Sequence, residues 1–187
     1  MSQLDRLKPE AKLTVKVAAV VGRQFQDEVI QRSYPVKMDK QQILDSLSDL
    51  KSNDIIDSVG GDDIYDYIFK NLLTRDVAYD SLLFSHRREY HRRIGICIED
   101  IYSVSLTEWY EELARHFDQS EDDGRAVNYL GKAGDKAYDL YANESADDYY
   151  TRALKRADAE TDPDNRYKIL NMRSKVYAII GLGDKQK

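Results

Sequence analysis

Residues 65–99 read YDYIFKNLLTRDVAYDSLLFSHRREYHRRIGICIE, and this stretch decides the fold. Tyr65, Tyr67 and Phe69 alternate with Asp66 and Lys70, the period of a half-buried strand. From Asn71 the period becomes helical. Leu73, Val77, Leu82 and Leu83 recur at helical spacings, so the pattern predicts an apolar helix face there. A basic run follows, with Arg87, Arg88, Arg92 and Arg93 against Glu89 alone. Ile94, Cys97, Ile98 and Ile101 then resume one face of a longer helix. The stretch therefore leaves a sheet, crosses one helix and enters another, with a different kind of domain expected on each side.

Upstream, Pro9 suits a first helical turn, where its missing N–H is not needed. Leu13, Val17, Val20 and Val21 form one face, and Gly22 is expected to end that helix in the left-handed conformation. Phe25 to Tyr34 reads as a second helix, with Phe25, Val29 and Ile30 inward and Pro35 as its stop. Asp39 is placed to cap a third, whose stripe is Ile43, Leu44, Leu47 and Leu50. Ile55-Ile56 and the run from Ile64 to Phe69 flank Gly60-Gly61, which suits a tight hairpin. Three helices followed by a β-hairpin is the winged-helix order.

Downstream the strand signals stop. Leu106 to Phe117 reads as a helix, and Asp122 or Asp123 opens the next. Ala114, Phe117, Ala126 and Ala133 fall in the register of a tetratricopeptide (TPR) hairpin, where small residues let two helices touch. A second pair is expected from a short helix carrying Ala137, Tyr138 and Tyr141, then one carrying Ala146, Tyr150 and Ala153. Asp162-Pro163-Asp164 starts a last helix, with Gly181 and Gly183 as its end. It lacks a mate, so the chain reads as an excerpt of a longer protein. The fold class expected is mainly α: a winged-helix domain over residues 1–83, a connecting helix over 84–103, and TPR-like repeats over 104–187.

The segment FKNLLTRDVAYDSLLFSHRREYHRRIG, with LDRLKPEAKLTVKVAAVVGRQF before it, resembles one bacterial family. These are the STAND-type (AAA-related) signalling ATPases, often fused to adenylate/guanylate cyclase domains, in which such a pattern joins a winged helix to TPR-like repeats. The resemblance implies a regulatory segment coupling an upstream ATPase domain to a protein partner. In that family a histidine just after the last wing strand contacts bound nucleotide. Asn71 stands in that slot here, following Phe69-Lys70. Asn71 and Lys70 are therefore the candidate nucleotide-sensing positions, although an amide cannot carry charge and Asn71 also suits a helix cap.

The chain has 187 residues, a net charge of -6 and a single cysteine, Cys97, so it can build a core without a disulfide framework. This usage fits a reducing cytoplasm. No run has the length of a membrane span and no secretory signal is visible. The glycines never form a phosphate loop. Adjacent acidic pairs such as Glu111-Glu112 diverge on a helix and do not converge on one substrate atom. His86 and His91, five apart, match zinc-helix spacing poorly. No catalytic residue, metal ligand or cofactor is expected in this segment. The partner-binding candidates are Arg87, Arg88, Arg92 and Arg93, facing protein. The alternative is a DNA-binding winged-helix regulator with a TPR-like sensor region. Asp39, Asp45 and Asp49 in the third helix argue against it, because carboxylates repel phosphates.

Overall fold

The computed structural model describes residues 3–59, 65–157 and 162–184. These residues are mainly helical, with a small antiparallel sheet. The chain divides into two compact units between Cys97 and Ile98, inside the segment expected to connect the domains.

The first unit is built on α1 (Pro9–Val21), which opens with proline and buries Ala11, Val15, Val17, Ala18, Val20 and Val21. Burial on nearly every side makes it the central helix. Its one buried hydroxyl is satisfied: Thr14 Oγ1 donates to the Glu10 carbonyl at 3.0 Å and lies 2.9 Å from the Tyr34 hydroxyl. Gly22 closes the helix through its N–H to the Ala18 carbonyl, but at φ 152° and ψ -162°. That is an extended glycine conformation, not the expected left-handed turn.

The second expected helix is corrected at its start. Gln24–Phe25 is a strand, β1, and only Asp27–Ser33 is helical (α2). Phe25 is fully buried from the sheet, stacked 5.6 Å from Tyr67. In α3 (Lys40–Ser52), Asp39 and Gln42 form a reciprocal capping box, which satisfies two backbone donors at once. Ile43, Leu47 and Leu50 are buried as expected, while Leu44 is only partly covered. The helix ends on Asp54 at φ 60°, with its N–H and that of Ile55 returning to the carbonyls of Lys51 and Leu50. This is a Schellman closure, and Ile55 packs into the core behind it.

β2 (Ile56–Ser58) and β3 (Tyr67–Phe69) pair antiparallel, and β1 pairs the other edge of β3, giving the order β1–β3–β2. Ser58 stands opposite Tyr67. The antiparallel pairing of β2 and β3 is the one expected of a hairpin, and the tight turn expected at Gly60-Gly61 falls on residues 60–64. Residues 60–64 themselves lie outside the described residues. α4 (Leu72–Asp80) then packs on α1, and α5 (Phe84–Ile101) follows.

The second unit is a run of helices in which each packs against the next: α6 (Tyr110–Asp118), α7 (Asp123–Asp139), α8 (Asn143–Arg156) and α9 (Pro163–Asp184). A 3₁₀ turn at Leu106–Trp109 precedes α6, so the expected helix begins later. Ala114, Phe117, Ala126, Leu130 and Ala133 are fully buried. No short helix intervenes before α8. Ala137 and Tyr138 are the last turn of α7, which closes in a second Schellman motif at Tyr141, φ 60°. Gly181 does not end α9, which runs on to Asp184.

α7 and α8 approach closely at Gly134. A Cβ there would lie 2.6 Å from Cε1 of Tyr150, a ring with no exposure and a hydroxyl donating to Asp135 at 2.8 Å. In an open helix Gly→Ala stabilises by about 1 kcal/mol. Here overpacking reverses the sign, and Gly134→Ala should destabilise by about 1–2 kcal/mol in a denaturant melt.

Candidate functional site

The segment from β3 into α5 holds every residue singled out for nucleotide or partner contact. Lys70 leaves β3 and bonds Asp54 at 2.5 Å, with Asp57 at 3.7 Å. The hydrogen bond to Asp54 pushes the ammonium pKa up. Lys70 N–H also donates to the Ile55 carbonyl. Lys70 is thus tied to the closure of α3. Asn71 is the N-cap of α4: its Oδ1 accepts the Leu73 N–H at 2.8 Å, and its carbonyl accepts the Arg75 N–H. The amide oxygen therefore serves the helix it opens.

The four arginines are not brought together. Arg87 turns back over the end of α4, donating from Nε to the Leu82 carbonyl at 3.1 Å and from Nη2 to the Asp80 carbonyl at 2.9 Å. It also pairs with the Asp80 carboxylate at 3.2 Å and lies 4.8 Å above the Tyr79 ring. A cation at a helix C-terminus complements its carbonyls, so Arg87 has a structural task. Arg88 lies over the Phe84 ring. Arg92 and Arg93 share Glu89, at 3.0 and 2.6 Å, and hold its carboxyl pKa below the ordinary value. Arg87, Arg92 and Arg93 are thus engaged within the chain.

What the sequence pattern misassigned is the apolar face. Leu82 is buried, but Leu72, Leu73, Val77, Leu83 and Phe84 are 47–72 % exposed. α4 is short and meets the core through Ala78, which leaves its leucines outside. Five large apolar side chains within α4, the following turn and the first residue of α5 exceed the scattered exposure normal for a surface. The signal was available: α4 carries apolar residues on two sides, Ala78 on one and Leu73 with Val77 on the other.

His86 stacks on Tyr90, and buried His91 lies 3.0 Å from the Tyr79 hydroxyl through Nε2. Among the described residues no group of His, Cys, Asp or Glu is placed to hold a metal ion, and no helix is long and apolar enough to cross a membrane.

In the second unit the main electrostatic centre is Glu112. Its Oε1 bonds Arg115 and lies 3.3 Å from Nε2 of fully buried His116. Burial works to raise this carboxyl, but the bonds from His116 and Arg115 outweigh it and lower the pKa from 4.5 to about 2. A depressed carboxyl contributes stability that is whole above its ordinary pKa and is lost as pH falls through the folded value. Acidification from about pH 5 to about pH 2 should therefore weaken this unit, and Glu112→Gln should flatten that part of the stability–pH curve.

No family model, no curated protein and no solved structure matches this chain.

Proposed function

We propose that this chain is a non-catalytic, protein-binding regulatory segment of a cytoplasmic bacterial signalling ATPase of the STAND type, in some relatives linked to a nucleotide cyclase. In this reading the first unit is a winged helix that docks against an ATPase domain of the same polypeptide. The second is a TPR-like stack that binds a protein partner.

The carrying observation is the apolar corner of α4 and α5, where Leu72, Leu73, Val77, Leu83 and Phe84 stand in solvent. Exposed apolar surface of this density is characteristic of a docking face. The element order α1–β1–α2–α3–β2–β3 supports the winged helix, with β1 completing the sheet. The small residues of the stack support the repeats. With the expected short helix gone, Ala114 of α6 and Ala146 of α8 become equivalent and stand 32 positions apart, near the TPR period of about 34.

DNA binding is less well supported. Basic and acidic side chains balance within residues 1–97, and the whole net charge of -6 belongs to residues 98–187. With no net positive charge in the first unit, non-specific phosphate affinity is weak.

The test begins with the gene. The reading requires a phosphate-loop ATPase domain encoded in the same polypeptide. Expressed separately, that domain should bind this 187-residue chain in calorimetry. Leu73→Glu with Phe84→Glu should weaken binding at least about tenfold, because both side chains are exposed and their loss leaves the melting curve in place. A gene without such a domain, or binding indifferent to the two substitutions, overturns the proposal.

A further inference from the structure

The lysines of α1 are not answered by acids. Lys8 stands at its N-cap, and Lys12 and Lys16 follow at steps of four residues, about 40° apart around the helix. Lys8 is exposed, and Lys12 and Lys16 are half-buried. Among the described residues no carboxylate pairs with any of these lysines. Farther along the same unit, Lys70, Arg75, Arg87, Arg92 and Arg93 all have carboxylate partners. Glu10, the acid of the first turn, lies about 160° around the helix from Lys12. Like charges at i,i+4 repel, and cations near a helix N-terminus oppose its dipole. The row is therefore a positive ridge on the central helix of the unit, unrelieved from within the chain. At its N-terminal end Lys8 and Glu10 line a concavity of about 220 Å³ with Asp45 and Asp49 of α3.

We propose that Lys8, Lys12 and Lys16 form a docking ridge for an acidic helix of a partner protein. Four residues rise about 6 Å along a helix, in the partner as in α1. A partner helix with carboxylates at that step, laid alongside, brings one to each ammonium. The partly buried stems of Lys12 and Lys16 fix where their heads emerge, which lowers the entropy lost on pairing. Exposed pairs contribute little singly, so a row in register sets orientation and association rate more than affinity. A nucleic-acid duplex suits the ridge less well. It is broader than a helix, and its phosphates would meet the carboxylates of Asp45 and Asp49 beside Lys8. The ridge shares no residue with the α4–α5 corner, and either surface can fail without the other.

Fluorescence anisotropy on the 187-residue chain tests it, with a labelled helical peptide of about 20 residues carrying glutamate at every fourth position. The same peptide with glutamine in those places, and a duplex DNA, serve as comparisons. The expected Kd is about 100 μM in about 50 mM salt, weakening at least about tenfold by about 300 mM. Lys12→Gln with Lys16→Gln should weaken binding at least about fivefold, and Lys12→Arg with Lys16→Arg should keep it. Lys8→Gln, at a fully exposed position, should weaken it about threefold without moving the melting curve. Lys37→Gln with Lys40→Gln removes the same charge from exposed positions elsewhere in the unit and should leave the Kd within about twofold. No binding up to about 1 mM overturns the proposal. So does equal binding of the glutamine peptide, or an equal loss in the Lys37–Lys40 variant, which reduces the effect to net charge. Duplex DNA bound more tightly than the glutamate peptide overturns the choice of partner.

Discussion

Ala133→Glu should melt the second unit and spare the first. Ala133 has no exposure, on a helix that packs against both α6 and α8. A glutamate there either buries a charge without a partner or takes up a proton to avoid it, and its extra volume parts the helices in both cases. The loss should be about 4 kcal/mol or more, in the class of substitutions that bury an unpaired charge. For a unit of this size that lowers the melting temperature by about 20 °C. Calorimetry should show one transition displaced and the other in place, because the units pack their own cores. Hydrogen exchange should lose protection in α6–α8 and keep it in α1 and α3. An unchanged melt would mean that the small-residue register of the stack is wrong.

That register was legible because helix contacts demand small residues at fixed steps, and alanines at 114, 126 and 133 have few other uses at that spacing. The cap at Asp39 was legible for a similar reason: one side chain answers one backbone donor, with no tertiary context needed. What could not be read was set by long-range partners. Gln24–Phe25 is too short to carry a period, and it is a strand only because β3 lies beside it. The break expected before Ala137 does not exist, because Ala137 and Tyr138 continue α7. The left-handed closure falls instead on Tyr141, where glycine is usual and no glycine marks it. The same limit governs the candidate site. The basic run identified four arginines but not their acceptors, and the Asp80 and Leu82 carbonyls that hold Arg87 come from the turn it folds back on. Leu73 and Val77 satisfy a helical pattern as well outside the core as inside it. The choice between these was made by how α4 meets α1, with Ala78 its one fully buried residue.

Asp118→Ala should be the second most damaging change. Asp118 ends α6 with 14 % exposure and receives two arginines from α8. Arg152 reaches Oδ2 with Nε at 3.0 Å and Nη2 at 2.7 Å, and Arg156 reaches Oδ1 at 3.0 Å. Arg156 also donates to the carbonyls of Asp118 and Ser120, so the clamp satisfies the C-terminal carbonyls of α6 as well as its carboxylate. Removing one partner of a buried pair costs about 3–5 kcal/mol, chiefly because the other charge is left without compensation. The value here should be smaller, about 2–3 kcal/mol, since the arginines are partly exposed. They also keep Asp148 at 3.1 Å and Asp123 at 2.6 Å. Asp118→Asn keeps an acceptor oxygen and should lose about half as much. A double-mutant cycle with Arg152→Ala separates the pair from the rest, with a coupling of about 1–2 kcal/mol expected. Half-burial predicts that this coupling persists in 1 M salt, where the Debye length is about 3 Å. A coupling that vanishes in salt would reduce the clamp to a surface pair, and α6 would then be held to the stack chiefly by its apolar face, beside the Lys136–Glu111 pair at 3.3 Å.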